Sequence, residues 1–582
     1  MMKFKGGARA HKFAESPVLQ LRLPAWRSRL MALLFMGCFA VLVGRAFYLQ
    51  MLNNDFLQEK GESRYRRDLQ ISASRGKIAD RNGDVLAIST PMKSVWAVPS
   101  EARLSAQQVR QLAGLLEMDV KELQRRLGSE KNFVFLQRQL PPDIGERVAA
   151  LKLPGVGQDR EYRRYYPSGE MTAHVVGFTG VDDKGLEGVE LAFQGQLFGH
   201  PGSRSVIRDR RGQIVEDVGS IRPPQDGKDI RLSLDAKIQY LAYSALKQAV
   251  AENKAKAGGI VVADAKTGEI LALANWPTYN PNNRERLSGA QLRNRAVTDT
   301  FEPGSTLKPF AIALALDAGK VRYDTVINCG GKLTIGKATI SDAHPHGPLS
   351  VAQIIQKSSN IGTAKVAALL PAREMWEMFD AVGFGQPPRL GFPGEVGGRL
   401  RPWKSWLPIE QATMSYGHGI SVSLMQLARS YMVFAREGDL IPLTLLRQDG
   451  VPVASTQVFT QQTARELRAM LEMAVQPGGT APQAQIPGYR VAGKTGTAYK
   501  LEGGQYAKKY VSSFVGFAPV SDPRLIIAVM IDEPTAGKHY GGSVAGPVFA
   551  TVMGGALRTL GVPQDNTLRV AGGDAGNSKG QL

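Results

Sequence analysis

Cysteine is almost missing from this chain: two residues in 582, Cys38 and Cys329. Two cannot build a disulfide framework, nor a cysteine-based zinc site, which takes about four ligands. Histidine is sparse at seven, and His344-Pro345-His346 stands without clustered carboxylates, so it reads as loop rather than metal site. No pattern asks for a metal or a cofactor. Internal repeats are lacking, and long apolar runs are lacking with one exception. What is present is ordinary globular composition, 43% apolar and 21% charged, which excludes a fibrous or wholly disordered chain. The length predicts several domains.

The exception begins at Leu30. Residues 30–44 carry no charge, Arg45 interrupts, and the apolar character resumes to Leu52. A membrane-spanning helix takes about 20 mostly apolar residues, and an end-placed Arg can snorkel to the headgroups. Phe47 and Tyr48 fall where an interfacial aromatic belt lies. A cleaved leader would carry small residues where Arg45 stands. Seven basic residues and one acid, Glu15, precede position 30. The pattern predicts a retained anchor at 30–52, a basic cytoplasmic tail at 1–29, and the rest of the chain outside the cytoplasm. The net charge of +20 then argues for a membrane surface or an acidic polymer, not for nucleic acid.

After the anchor, a polar, basic stretch reads as a stalk. Residues 75–90 predict two short strands around a turn at Asn82-Gly83. Residues 101–152 carry helical periodicity, as at Val109, Leu112, Leu115 and Leu116. A Gly-rich, charged region ends in a Pro/Gly/charge cluster at 222–229, taken as a domain boundary. Residues 234–255 predict a long amphipathic helix. Residues 258–275 predict two apolar strands joined at Lys266-Thr267-Gly268, helices alternate with Gly-rich loops to about 481, and strands return, including Leu525–Ile531. A helix, strands, helices and a final antiparallel set make an α+β arrangement, not repeated βαβ. From Gln564 the chain is polar and Gly-rich, a flexible tail. The resulting division is 1–29, 30–52, 60–225, 226–563 and 564–582.

The chemistry concentrates at three short stretches. Ser305-Thr306-Leu307-Lys308 puts a hydroxyl and an amine one turn apart on a helix whose start is marked by Glu302-Pro303-Gly304, with Pro309 tolerated only in a first turn. The helix N-terminus favours an alkoxide-like oxygen and disfavours the protonated amine, so Lys308 can serve as base for Ser305. Alone the pattern says little, because Ser74–Lys77 and Ser244–Lys247 also match it. Ser358-Ser359-Asn360 adds a proton-relaying hydroxyl and an amide to hold a substrate backbone. Lys494-Thr495-Gly496-Thr497 adds a cation and two hydroxyls suited to a peptide carboxylate, with Gly496 letting backbone lie close. The N–H groups of Ser305 and Thr497 would form an oxyanion hole, and a second ammonium near Lys308 would lower its pKa further.

In this order the motifs resemble the penicillin-binding and serine β-lactamase superfamily. The segments RGKIADRNGDVLA, YYPSGEMTAHVVGFTG, GLEGVE, WPTYNPN, FEPGSTLKPF, SYGHGISVSLMQLA, SFVGFAP and YGGSVAGPVF are similar to those of class B penicillin-binding proteins, the division-specific branch above all, with the elongation-specific branch as alternative. The resemblance implies a pedestal or dimerisation domain at 60–225 and a transpeptidase domain at 226–563 with a central antiparallel sheet flanked by helices. It implies a peptidoglycan D,D-transpeptidase that cross-links stem peptides of septal wall through an acyl-serine and releases D-Ala. Catalytic residues would be Ser305, Lys308, Ser358, Asn360 and Lys494, and substrate-binding residues Thr495, Gly496 and Thr497. Partners would be stem peptides, β-lactams, the inner membrane, a polytopic glycan polymerase and other division proteins, with the catalytic domain periplasmic.

Three rivals fare worse. Gly488–Thr495 satisfies the P-loop pattern, but Gly-rich hairpin chemistry follows it where a helix is needed. A class A β-lactamase needs an E-x-x-x-N loop, and no asparagine occurs between Ile361 and Pro563. A non-catalytic β-lactam-binding scaffold would not require all three motifs.

Overall fold

The computed structural model describes residues 24–52, 66–208, 214–450 and 453–566. The stretch read as a stalk, residues 209–213, residues 451–452, and most of the basic and C-terminal tails lie outside the described residues. The chain divides into two units, one holding residues up to Ile71 with Gly202–Pro223, the other the remainder.

In the first unit the apolar run forms helix α1 (Ala25–Phe47), prolonged by a wider turn at Tyr48–Leu52. It has no buried residues, and the mean hydropathy of its apolar window is 2.1. At 1.5 Å per residue its 23 residues reach roughly 35 Å, enough for the hydrocarbon core of a bilayer. Strands Arg66–Ile71, Gly202–Arg208 and Ile214–Arg222 pair antiparallel into a small sheet.

The second unit opens with β1 (Ile78–Ala79) and β2 (Val85–Ala97), turning at Asn82-Gly83 as its sequence predicts. The stretch with helical periodicity, 101–152, holds α2 (Ala106–Leu115), α3 (Val120–Leu127), β3 (Val134–Leu140) and α4 (Pro142–Ala150). The inserted strand is a correction to the helical reading. Val134, Leu136 and Leu140 fall on a period of two, and pairing with β2 outweighs local helical preference. Strand β4 (Val156–Tyr165) lies along the other side of β2. A buried ion cluster ties the resembling segments together. Arg75 Nε donates to Glu190 Oε2 at 2.5 Å and Arg164 Nε to Glu190 Oε1 at 2.7 Å, with all three side chains essentially inaccessible.

Beyond the parallel bridge of β5 (Ile230–Arg231) to β1, Asp235 caps α5 (Ala236–Glu252) by accepting from the N–H groups of Lys237 and Ile238. There follow β6 (Ala257–Asp264), β7 (Ile270–Trp276), α6 (Lys308–Asp317), α7 (Val351–Lys357), α8 (Asn360–Ala367) and α9 (Gln461–Met473). The chain closes with β8 (Ala492–Glu502), β9 (Gln505–Ala518), β10 (Leu525–Asp532) and α10 (Gly546–Thr559). The strands form one antiparallel sheet in the order β7–β6–β10–β9–β8, with β8 at the edge. Both faces are covered, so β6 and β10 read as nearly unbroken apolar runs. Ile260, Val262, Ile527 and Val529 pack toward α5 and α10. Val261, Ala263, Ile526 and Ala528 join the core that holds Phe310 and Ile312 of α6 and Leu467 and Met470 of α9. Helix α6 is apolar all round, as a helix enclosed in a core must be.

Removing one member of a buried ion cluster strands the others without compensation. Glu190→Ala is expected to cost about 3–5 kcal/mol, read as a lowered urea midpoint, and an unchanged midpoint would contradict the cluster's dry, paired state.

Candidate active site

Ser305 lies in a 3-10 turn (Gly304–Leu307) that leads straight into α6, whose first two residues are Lys308 and Pro309. Proline is accommodated here because a first-turn N–H has no intrahelical partner. The turn is half-open at Ser305 and otherwise buried. Tyr431 supports it from below, its hydroxyl donating to the Thr306 carbonyl at 2.8 Å.

Edge strand β8 lies against this turn, and glycines make the approach possible. A β-carbon at Gly496 would lie 2.6 Å from the Pro303 carbonyl and 3.1 Å from Thr306 Cγ2. Gly304, at φ +57°, has the Thr497 peptide 3.3–3.6 Å from where its own β-carbon would sit, and its N–H donates to the Gly417 carbonyl at 3.2 Å. Gly496 therefore answers first to the packing of strand on turn, beside the backbone approach its sequence position predicts. The Thr497 hydroxyl accepts from the Gly541 N–H at 3.0 Å, which leaves its own proton uncommitted.

The third stretch arrives at the junction of α7 and α8. Ser358 closes α7 in the left-handed region (φ 60°, ψ 42°), a conformation costing an ordinary residue roughly 1–2 kcal/mol. Asp342 holds it there. One carboxylate oxygen accepts from the N–H groups of Asn360 and Ile361, and the other accepts from Ser359 Oγ at 2.6 Å. Asn360 donates its side-chain amide to the Ser341 carbonyl at 3.0 Å.

Two lysines converge on the hydroxyl so presented. Lys308 Nζ lies 3.1 Å and Lys494 Nζ 2.9 Å from Ser358 Oγ, and Lys308 also donates to the Ser358 carbonyl. Both side chains are wholly buried, and among the described residues neither forms an ion pair. Burial is the larger cause that takes the Lys308 ammonium well below its ordinary range, the nearby charge of Lys494 lowers it further, and Asp342 opposes both. Burial lowers Lys494 to about 7. With two ammonium groups sharing one hydroxyl the protons leave in two steps that belong to the pair, because each charge repels the other. Burial and mutual repulsion both disfavour the doubly charged state, and the Ser358 hydroxyl bridges the two nitrogens.

The structure thus gathers Ser305, Lys308, Ser358, Asn360, Lys494, Thr495, Gly496 and Thr497 along one edge of the sheet. The P-loop-like Gly488–Thr495 runs into β8 with a hairpin after it, not a helix. The second Lys-Thr-Gly, at 266–268, is the turn between β6 and β7. Sequence reasoning missed Asp342, which carries no motif of its own, and Glu302, read only as part of the helix start. The Glu302 carboxylate accepts from the Gly419 N–H at 2.9 Å and the Tyr506 hydroxyl at 3.1 Å, and faces His418 Nδ1 at 3.2 Å. It also walls a cavity of about 540 Å³ lined by Phe301, Ile420, Arg399 and Val511, which holds neither Ser305 nor either motif lysine. The motif residues lie beside β8 instead.

A lysine that folds neutral and unfolds charged makes the unfolded state bind more protons, so stability rises with pH up to the unfolded value of roughly 10.4. Lys308→Met is expected to raise the thermal midpoint at pH 7 and to flatten its rise between pH 7 and 10. An unaltered pH slope would mean that Lys308 is charged in the fold.

The family model described as the penicillin binding protein transpeptidase domain matches residues 258–554, and the model of the penicillin-binding protein dimerisation domain matches residues 70–232. The chain is 47% identical over 539 residues to the probable peptidoglycan D,D-transpeptidase PenA of Neisseria gonorrhoeae, spanning 92% of both proteins. It is 41% identical over 549 residues to the peptidoglycan D,D-transpeptidase FtsI of Escherichia coli strain K12, spanning 93% of both. Among solved structures it is similar to the apo TP domain of penicillin-binding protein 3 from Burkholderia pseudomallei, at 50% identity and a TM-score of 0.54, covering 58% of this chain and 98% of that one. With the transpeptidase model spanning half of its length and such relatives along nearly all of it, the chain belongs to the class B penicillin-binding proteins.

Proposed function

We propose that the protein is a peptidoglycan D,D-transpeptidase that cross-links stem peptides of the septal wall through an acyl enzyme on Ser305. The observation that carries this reading is the Ser358 hydroxyl bridging two buried lysine nitrogens. Acyl transfer needs a base, a route for that proton to the leaving amine, and a positively polarised group to receive the substrate carboxylate. The amine of Lys308 takes the Ser305 proton as Oγ attacks the carbonyl of the penultimate D-Ala. The N–H groups of Ser305 and Thr497 take up the negative charge on the carbonyl oxygen. As the peptide bond breaks, Lys308 returns the proton through Ser358 to the departing nitrogen, and terminal D-Ala leaves. The amine of a neighbouring stem peptide then attacks the ester, gives its proton back along the same route, and Ser305 is regenerated with the cross-link formed. Lys494, Thr495 and Thr497 receive the terminal carboxylate, and Asn360 holds substrate backbone. A β-lactam enters the same path with its ring amide in place of the D-Ala–D-Ala bond.

The septal assignment is supported by similarity to a relative named FtsI over nearly the whole chain. An apolar helix near the N-terminus fits a single-pass inner-membrane anchor, and the preceding basic tail supports a cytoplasmic N-terminus with the enzyme periplasmic. Residues 60–225 form the pedestal in this reading and 226–563 the catalytic domain. The pedestal and anchor serve contacts with a polytopic glycan polymerase and other division proteins.

Purified full-length protein incubated with penicillin is expected to gain one adduct mass on the peptide containing Ser305, and to release D-Ala while joining stem pentapeptides. Ser305→Ala abolishes both. An adduct on another residue, or cross-linking retained by Ser305→Ala, would overturn the assignment.

A further inference from the structure

The loop that follows α9 supplies a hydroxyl that none of the three motifs contains. Thr480 Oγ1 lies 3.1 Å from Thr495 Oγ1 and accepts its proton. Thr495 is buried, Thr480 half-buried. The loop is pinned from two sides. Lys357, the residue before Ser358, donates to the Gly478 carbonyl at 2.8 Å. Gly542 abuts its other flank so closely that a β-carbon there would lie 2.3 Å from the Thr480 carbonyl. The elements that present Ser358 and the Gly541-Gly542 segment behind Thr497 thus also set the position of Thr480.

The arrangement leaves Thr495 in an unexpected state for a carboxylate donor. Its hydroxyl stands 3.3 Å from Lys494 Nζ, from which it can accept, and it spends its single proton on Thr480. A hydroxyl has one proton and two lone pairs, and the proton rotates to suit its partners. To donate to an arriving carboxylate, Thr495 must turn its proton away from Thr480. A bare lone pair would then face a bare lone pair across 3.1 Å, unless Thr480 turned its own proton inward. Because Thr480 carries a hydroxyl, the contact survives with its direction reversed.

We propose that Thr480 is a positioning residue for the substrate's terminal carboxylate, acting through Thr495. It accepts the Thr495 proton in the empty site and donates to Thr495 Oγ1 in the filled one. Both threonine hydroxyls beside Lys494 stay satisfied in both states, and in the filled site the Thr495 proton turns to the anion. The proposal rests on the reading that Lys494, Thr495 and Thr497 receive that carboxylate. It makes Thr480 a determinant of selectivity for ligands bearing an anionic end over neutral ones.

The test uses full-length protein and two acyl donors, an N-acyl-D-alanyl thioester whose leaving group ends in a carboxylate and the methyl ester of that same compound. Thr480→Val keeps the shape and removes the hydroxyl, Thr480→Ser restores it, and Thr480→Ala replaces Val should the Val variant not fold. The expected result is a loss of about fivefold to twentyfold in kcat/KM for the carboxylate donor, the range of one buried hydrogen bond. The methyl ester should change less than about twofold, and Thr480→Ser should recover the carboxylate rate. Equal losses on both donors would make Thr480 a structural residue only, and unchanged rates on both would make it a bystander; either overturns the proposal. Failure of the wild-type protein to be acylated by either donor would instead overturn the transpeptidase reading beneath it.

Discussion

Two lysine side chains, buried without a carboxylate partner among the described residues, are the constraint around which the catalytic half is arranged. An isolated ammonium loses far more on leaving water than two hydrogen bonds return, so the fold can keep both only by letting at least one discharge. The sheet and α6 supply the burial, and Ser358 supplies a shared acceptor. A cavity-filling pair of apolar side chains would serve stability better. Their absence here marks the site as one where the fold gives up stability for reactivity.

Holding that arrangement takes backbone-to-backbone packing that ordinary side chains would prevent. Gly496 lets β8 close on the turn before α6, and Gly304 lets the same turn meet Thr497. Ser358 pays the cost of a left-handed conformation because it must carry a hydroxyl that glycine lacks, and Asp342 locks the strained junction with three hydrogen bonds. Three segments far apart in sequence are positioned to within hydrogen-bonding distance, while Ser305 stays half-buried beside them.

Much of this was legible in the sequence, for identifiable reasons. The motif lysines and serines announce themselves by spacing, and Leu525–Ile531 and Gly258–Asp264 read as strands because burial on both faces leaves no polar alternation. Less legible was anything decided by partners remote in sequence. Asp342 and Thr480 act across loops, and no local pattern distinguishes them from solvated loop residues. Lys-Thr-Gly makes the same point, since the tripeptide at 266–268 is a hairpin turn and the one at 494–496 an edge strand. The strand at Val134–Leu140 was hidden inside a helical stretch because its pairing with β2 is what stabilises it.

The central claim is that Lys308 rests as a free amine beside a titrating Lys494. Protein carrying ¹³C,¹⁵N-lysine, with the two resonances assigned through Lys308→Arg and Lys494→Arg, reports the charge of each ammonium directly as pH is varied. The account predicts that Lys308 loses its proton well below the ordinary lysine range and that Lys494 titrates near 7. Both lysines remaining charged up to about pH 10, the ordinary range for an exposed amine, would contradict it.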